Sequence, residues 1–207
     1  MSRFPIAFTA GLLLLGGTAA AQIGNPAGMG VDTKMSEPGV PAPHQTNNQD
    51  RLFAQLVAAG GLAEVELGRM ADGKAKADSV KDFAATLVRD HSDADDKLRE
   101  LADAAKIPLP KELHPDHQVV RDRLEKLDGE AFDVAYIKAQ IVDHQKTAQL
   151  LAWEIDAGED ADMQRFAAST LPVVLDHLRK AQEIHAALTG AAVRILAEEM
   201  AETKRKP

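Results

Sequence analysis

The chain has 207 residues, with 24 basic against 32 acidic side chains, no cysteine and 4% aromatic residues. Lack of cysteine excludes disulfides, thiolate metal sites and a lipid-modified N-terminal Cys. A net charge of -8 argues against nucleic acid or an anionic membrane as the main partner, and an Ala- and Leu-rich composition favours helices over a β-sandwich.

Residues 1–21, MSRFPIAFTAGLLLLGGTAAA, have the pattern of a secretory signal peptide. Arg3 supplies the positive start, Ile6 to Leu15 the apolar run, and Ala19-Ala20-Ala21 the small-residue cleavage site before Gln22. The run is shorter than the ~20 residues a membrane helix needs. The mature chain is therefore expected to carry no integral membrane span and to reside in the periplasm of a Gram-negative cell. A membrane anchor formed by an uncleaved N-terminus is the alternative. Residues 22–48 are rich in Gly, Pro and Asn without periodicity, as in a flexible linker.

Four long amphipathic helices follow in 49–190. Helix 1 is predicted from about Gln49 to Asp72, with Phe53, Leu56, Gly60, Ala63, Leu67 and Met70 at heptad spacing. DGKAKAD breaks it, and helix 2 runs from a capping Asp78 or Ser79 to about Lys106, where IPLP stops it. Its stripe is Leu87, His91, Ala94, Leu98 and Leu101. A long connection carries a short helix near His117 to Leu127, with Asp116 of HPDH as its expected cap. Helix 3 spans roughly Glu130 to Ala157 on Ile137, Ile141, His144, Ala148, Leu151 and Ile155. Helix 4 spans about Ala161 to Leu188, kinked by Pro172, with Leu171, Val174, Leu178 and Ala181 inward and His177 at the stripe's edge. After Thr189-Gly190, the tail 191–207 is expected to form a short separate helix, about Ala192 to Thr203.

Short turns make helices 1 and 2, and helices 3 and 4, antiparallel hairpins. The long connection between the pairs can travel the length of a bundle. This is an all-α, ferritin-like four-helix bundle: two hairpins joined by a long crossover.

Helical rise then predicts depth. Glu64 and His91 lie equally far from the first turn, roughly 20 Å at ~1.5 Å per residue, and His144 and His177 lie roughly 25 Å from the second. In helices ~40 Å long, all four reach mid-height. Glu64 is in register with Val57, Gly60, Leu67 and Ala71, whereas Glu66 faces outward unless helix 1 is rotated. The histidines each follow an aspartate: Asp90, Asp143 and Asp176. These aspartates are expected mainly on the solvated surface, although one could orient an imidazole. Asp95 shares the His91 face and is a weaker candidate; Glu183 and His185 belong to a half-exposed face. There is no nucleophile elbow, phosphate-cradling Gly loop or H-E-x-x-H.

The ordered motifs GGLAEVELGRMADGKA, VKDFAATLVRDHSDADDKLRELA, GEAFDVAYIKAQIVDHQKTAQLL and FAASTLPVVLDHLRKAQEI resemble the bacterial family known as domain of unknown function 4142. The resemblance covers about residues 50–188. It implies a ferritin-like helical bundle carrying a signal peptide, and it supplies no reaction. It carries over Glu64, His91, His144 and His177 as motif residues.

Di-iron members of the wider fold use Glu-x-x-His on two helices. Here the residues three before the histidines are Val88, Ile141 and Val174, so bridging carboxylates are missing and ferroxidase chemistry is not inherited. One Glu and three His suit a single Zn, Fe, Cu or Ni ion. Two further readings remain: a non-catalytic structural or stress-related interaction protein whose Glu/His layer is a core polar network, and a metal-dependent oxidoreductase. Neither a protein partner nor an oligomeric state is legible in the sequence.

Overall fold

The computed structural model describes residues 35–37, 40–41 and 45–205, with side chains described from 45 to 190. The expected signal peptide lies outside the described residues. Met35–Glu37 (β1) and Val40–Pro41 (β2), within the span read as linker, form a short antiparallel pair with Met35 opposite Pro41.

Five helices follow: α1 (Asn48–Lys74), α2 (Asp78–Ala104), α3 (Pro115–Leu124), α4 (Gly129–Ala157) and α5 (Ala161–Arg205). Asn47 opens α1 with a reciprocal capping box: its side chain accepts from the Asp50 N–H at 2.9 Å, and Asp50 accepts from the Asn47 N–H at 2.6 Å. The start of α2 departs from expectation. Its N-cap is Ala77, and neither Asp78 nor Ser79 caps it. Instead the buried carboxylate of Asp133, on α4, accepts from the N–H groups of Lys76 and Ala77 at 3.0 and 2.9 Å. A tertiary acceptor replaces the local one and ties the first hairpin to the second.

The end of α2 is a Schellman turn. The Ile107 N–H reaches the Ala102 carbonyl and the Lys106 N–H reaches Asp103, with Lys106 at φ 55 and Ile107 buried. At α3 the cap is the His114 side chain, which accepts from the Asp116 N–H at 3.3 Å, not Asp116 itself; Pro115 occupies the first turn. Lys74 donates to the carbonyls of Glu125 and Leu127 and pairs with Asp128, so the crossover is held against the end of α1.

The expected break at Thr189-Gly190 is absent, and α5 runs on to Arg205. Thr189 Oγ1 bonds the His185 carbonyl of its own helix at 2.8 Å, and an interior Gly costs only about 1 kcal/mol relative to Ala. Pro172 also lies within this helix.

The hairpins are α1–α2 and α4–α5, with α1 also against α4 and α2 against α5. Gln49 at the start of α1 donates to the Trp153 carbonyl near the end of α4. Asp133 near the start of α4 meets the α1–α2 turn. Hence α1 and α4 are antiparallel, which requires the crossover to travel the bundle's length.

Helix 1 is rotated from the expected stripe. Leu56 is 39% exposed and Gly60 half-buried, while Gly61 and Gly68 are buried. At Gly68 a Cβ would lie 2.6 Å from the Val88 side chain, so only glycine admits α2 this closely. Two apolar clusters fill the interior. One joins Leu67, Leu87, Tyr136, Ile137 and Ala181; the other joins Phe53, Leu98, Leu151, Phe166 and Val174. On every long helix the residues between these clusters belong to one polar layer: Glu64, His91, His144 and His177. No described helix is long and apolar enough to cross a membrane.

Candidate metal centre

Three imidazoles converge in that layer. The ring centroids are 5.5 Å apart for His91–His144, 5.7 Å for His91–His177 and 5.5 Å for His144–His177. One ring nitrogen from each lies within 4.8 Å of its counterparts. His144 and His177 are buried, at 1% and 5% exposure, and His91 is half-buried. His177, placed at the edge of its stripe by sequence, is instead buried between Val174 and Ala181, with Leu178 rotated partly outward.

The outer nitrogens hold the rings in place. His144 Nδ1 donates to the Gln140 carbonyl one turn earlier, at 2.9 Å. His177 Nε2 donates to Asp90 on α2 at 3.0 Å. The remaining nitrogens, Nε2 of His91, Nε2 of His144 and Nδ1 of His177, are buried without any hydrogen-bond partner. Buried polar atoms are normally satisfied, and three imidazoles bonding one another would have satisfied these. A metal-binding histidine typically donates its outer N–H to a carboxylate or carbonyl and turns the other nitrogen to the ion. Two of the three rings show this arrangement.

Electrostatics keeps two rings in the ligand form. Burial, reinforced by the neighbouring imidazoles, lowers the pKa of His91 to about 3 and that of His144 to about 4. Both nitrogen lone pairs are therefore free of protons at neutral pH. Nitrogen ligands sit ~2.0–2.1 Å from a bound Zn-sized ion. Three around one ion are then about 3.3–3.6 Å apart, so small ring movements suffice to close the set.

Glu64 falls elsewhere. It is 2% exposed, but its Oε1 lies 3.8 Å from Nδ1 of His144, on the ring edge facing away from the triad. Burial, then the Asp143 carboxylate, raises its pKa well above the usual range. Asp143 opposes its own burial through His117 and Glu64 and stays ionised; His117 Nε2 is 3.4 Å from its Oδ1. Glu64 is thus protonated behind His144. Glu66 is half-exposed beside Arg121 at 3.5 Å.

The aspartates beside the histidines divide. Asp176 is the surface residue expected, paired with Arg179. Asp143 is half-buried in the Glu64–His117 cluster, and Asp90 orients a histidine on another helix, so neither is merely solvated. Sequence reasoning missed the roles of Gln140 and His117. The one-turn spacing of Gln140 and His144 was available as a signal; His117 gave none beyond its place in HPDH. Asp95 lies against Gly61, away from the triad, and burial raises its pKa to about 7.

Fold and site together define a ferritin-like helical bundle with a buried three-imidazole centre at mid-height. The family model "Domain of unknown function (DUF4142)" matches residues 35–184, and the chain belongs to that family. Among solved structures it is similar to a DUF305 fragment from Deinococcus radiodurans, with TM-score 0.63 and 14% identity over 70% of this chain and 99% of that one. It is also similar to CopM in its Cu(II)-bound form, with TM-score 0.57 and 17% identity over 67% and 96% of the two chains. CopM in its Ag-bound form matches with TM-score 0.53 and 17% identity over 65% and 93%. No curated protein matches the chain. At these identities the likeness concerns the fold.

Proposed function

We propose that this is an exported metal-binding protein that holds one transition-metal ion between His91, His144 and His177. The observation that carries the proposal is the convergence of three imidazoles, one ring nitrogen of each within 4.8 Å of the others, where each ring also keeps a buried nitrogen without a partner. An all-imidazole set suits Zn, Fe, Cu and Ni, and the Irving–Williams order favours copper among the divalent ions. The Cu(II)- and Ag-bound forms of the structural neighbour CopM agree with that choice. Glu64, included among the ligands by sequence, instead supports His144 from behind in this reading. Export rests on the N-terminal signal pattern.

The test is the metal content of tag-free protein, before and after incubation with Cu, Zn or Ni and gel filtration. One retained equivalent, lost in His91→Ala and His144→Ala variants that still fold, is the expected result. Sub-stoichiometric metal under every condition would instead leave a core polar network, the competing reading.

A further inference from the structure

We propose a second, separate site: a cavity between α1, α3 and α4 that binds a monomeric anionic amphiphile, an apolar body carrying one carboxylate or sulfonate. The cavity has a volume of about 490 Å³, within the ~300–1,000 Å³ usual for small-molecule sites. Its walls are apolar, formed largely by Leu56, Ala63, Leu67, Val120, Leu124 and Leu150. Leu56 and Val142 are 39% and 51% exposed because they face this space and not the core. Within the wall, Gln140 Oε1 and His117 Nδ1 are buried without partners, and Gln140 is only 1% exposed. An apolar body offers these atoms no bond, so selection of the ligand falls to the apolar walls and the charges at the mouth.

Charge selects the class. Arg123, Lys138 and Lys146 also line the cavity and are exposed. None of the three makes an ion pair among the described residues. The acid beside them at the surface, Asp116, lies 3.7 Å from His114. In a chain of net charge -8, three unpaired cations around an apolar opening favour an anionic head. The exposed cations stand at the mouth and the leucine-rich wall lies behind them, so the head stays at the mouth and the apolar body enters.

Gly60 supplies a clean blocking variant, because it lines the cavity and a Cβ added there meets nothing within 4 Å. The experiment follows the fluorescence of 8-anilinonaphthalene-1-sulfonate with the full chain, its displacement by dodecanoate below the micellar concentration, and uncharged N-phenyl-1-naphthylamine as the control dye. Saturable binding of the sulfonate, displaced by dodecanoate, is expected, with the neutral dye weaker. Gly60→Leu should abolish it at unchanged copper stoichiometry and without lowering Tm, since leucine is the better helix former. The surface variant Lys138→Glu/Lys146→Glu should weaken it roughly tenfold. Equal binding to Gly60→Leu, equal affinity for the neutral dye, or binding to phosphatidylglycerol vesicles but not to free dodecanoate would each overturn the proposal. None of these outcomes bears on the imidazole centre, which is read by metal alone.

Discussion

The carboxylate of Asp90 does not serve the histidine beside it: it accepts the Nε2–H of His177, from another helix, at 3.0 Å. The bond fixes which His177 nitrogen turns inward, and so couples α2 to the geometry of α5. Asp90→Ala should weaken metal affinity about 10–100-fold, the usual cost of removing such an outer partner. Because Asp90 is partly exposed, stability should change by less than about 1 kcal/mol. Competition titration against a chelator, beside a thermal melt, separates the two effects. A large loss of stability with unchanged affinity would make Asp90 a structural residue.

His91 and His144, held near pKa 3 and 4 by burial and then by neighbouring imidazoles, His177 among them, should stay neutral through mildly acidic pH. NMR titration of the apo protein should find both below pH 5, and midpoints of 6–7 would show them solvated. A histidine that binds its proton more weakly folded than unfolded makes stability fall with acidification. The loss begins below the ordinary histidine pKa of 6.5 and deepens toward pH 4.

Glu154 acts at the other end of the pH scale. Burial, then the neighbouring Asp50 carboxylate, raises its pKa to about 9 from 4.5. The folded protein keeps a proton that the unfolded chain releases, so this group's contribution is full below pH 4.5 and is lost as pH rises toward 9. Glu154→Gln should remove that slope and stabilise the fold by roughly 1–3 kcal/mol at pH 8. Urea unfolding at pH 5 and pH 8 measures the difference, and an equal effect at both would contradict it.

Lys106 sits at φ 55 in the turn after α2, a conformation disfavoured for residues with a Cβ. Lys106→Gly should stabilise the protein by roughly 0.5 kcal/mol, the relief of strain exceeding the added freedom of the unfolded chain. A lowered Tm would show the Lys106 side chain contributing more than its backbone costs.

Much of this architecture follows from spacing. Helix lengths, the two short turns and the long crossover dictate the bundle, and rise per residue places Glu64, His91, His144 and His177 at one depth. Rotation about each axis is less visible, because a stripe of small residues reads much like one of large residues. Gly61 and Gly68 on α1 carry no hydrophobic signal, yet they admit α2 closely and turn Leu56 and Gly60 toward the cavity. That rotation also decides on which edge of His144 the Glu64 carboxylate falls. Contacts between helices, such as Asp90 with His177 and Asp133 with the Lys76–Ala77 backbone, leave no mark in local sequence. At the tail, Thr-Gly suggests a stop, whereas Thr189 bonds its own helix and α5 continues.

Pulsed electron paramagnetic resonance of the Cu(II)-loaded, tag-free protein reads directly whether three imidazoles hold one ion. One copper per chain is expected, with nitrogen modulation from three histidines, reduced by one imidazole in His91→Ala. A spectrum unchanged in His91→Ala and His177→Ala would place the copper elsewhere and contradict that expectation.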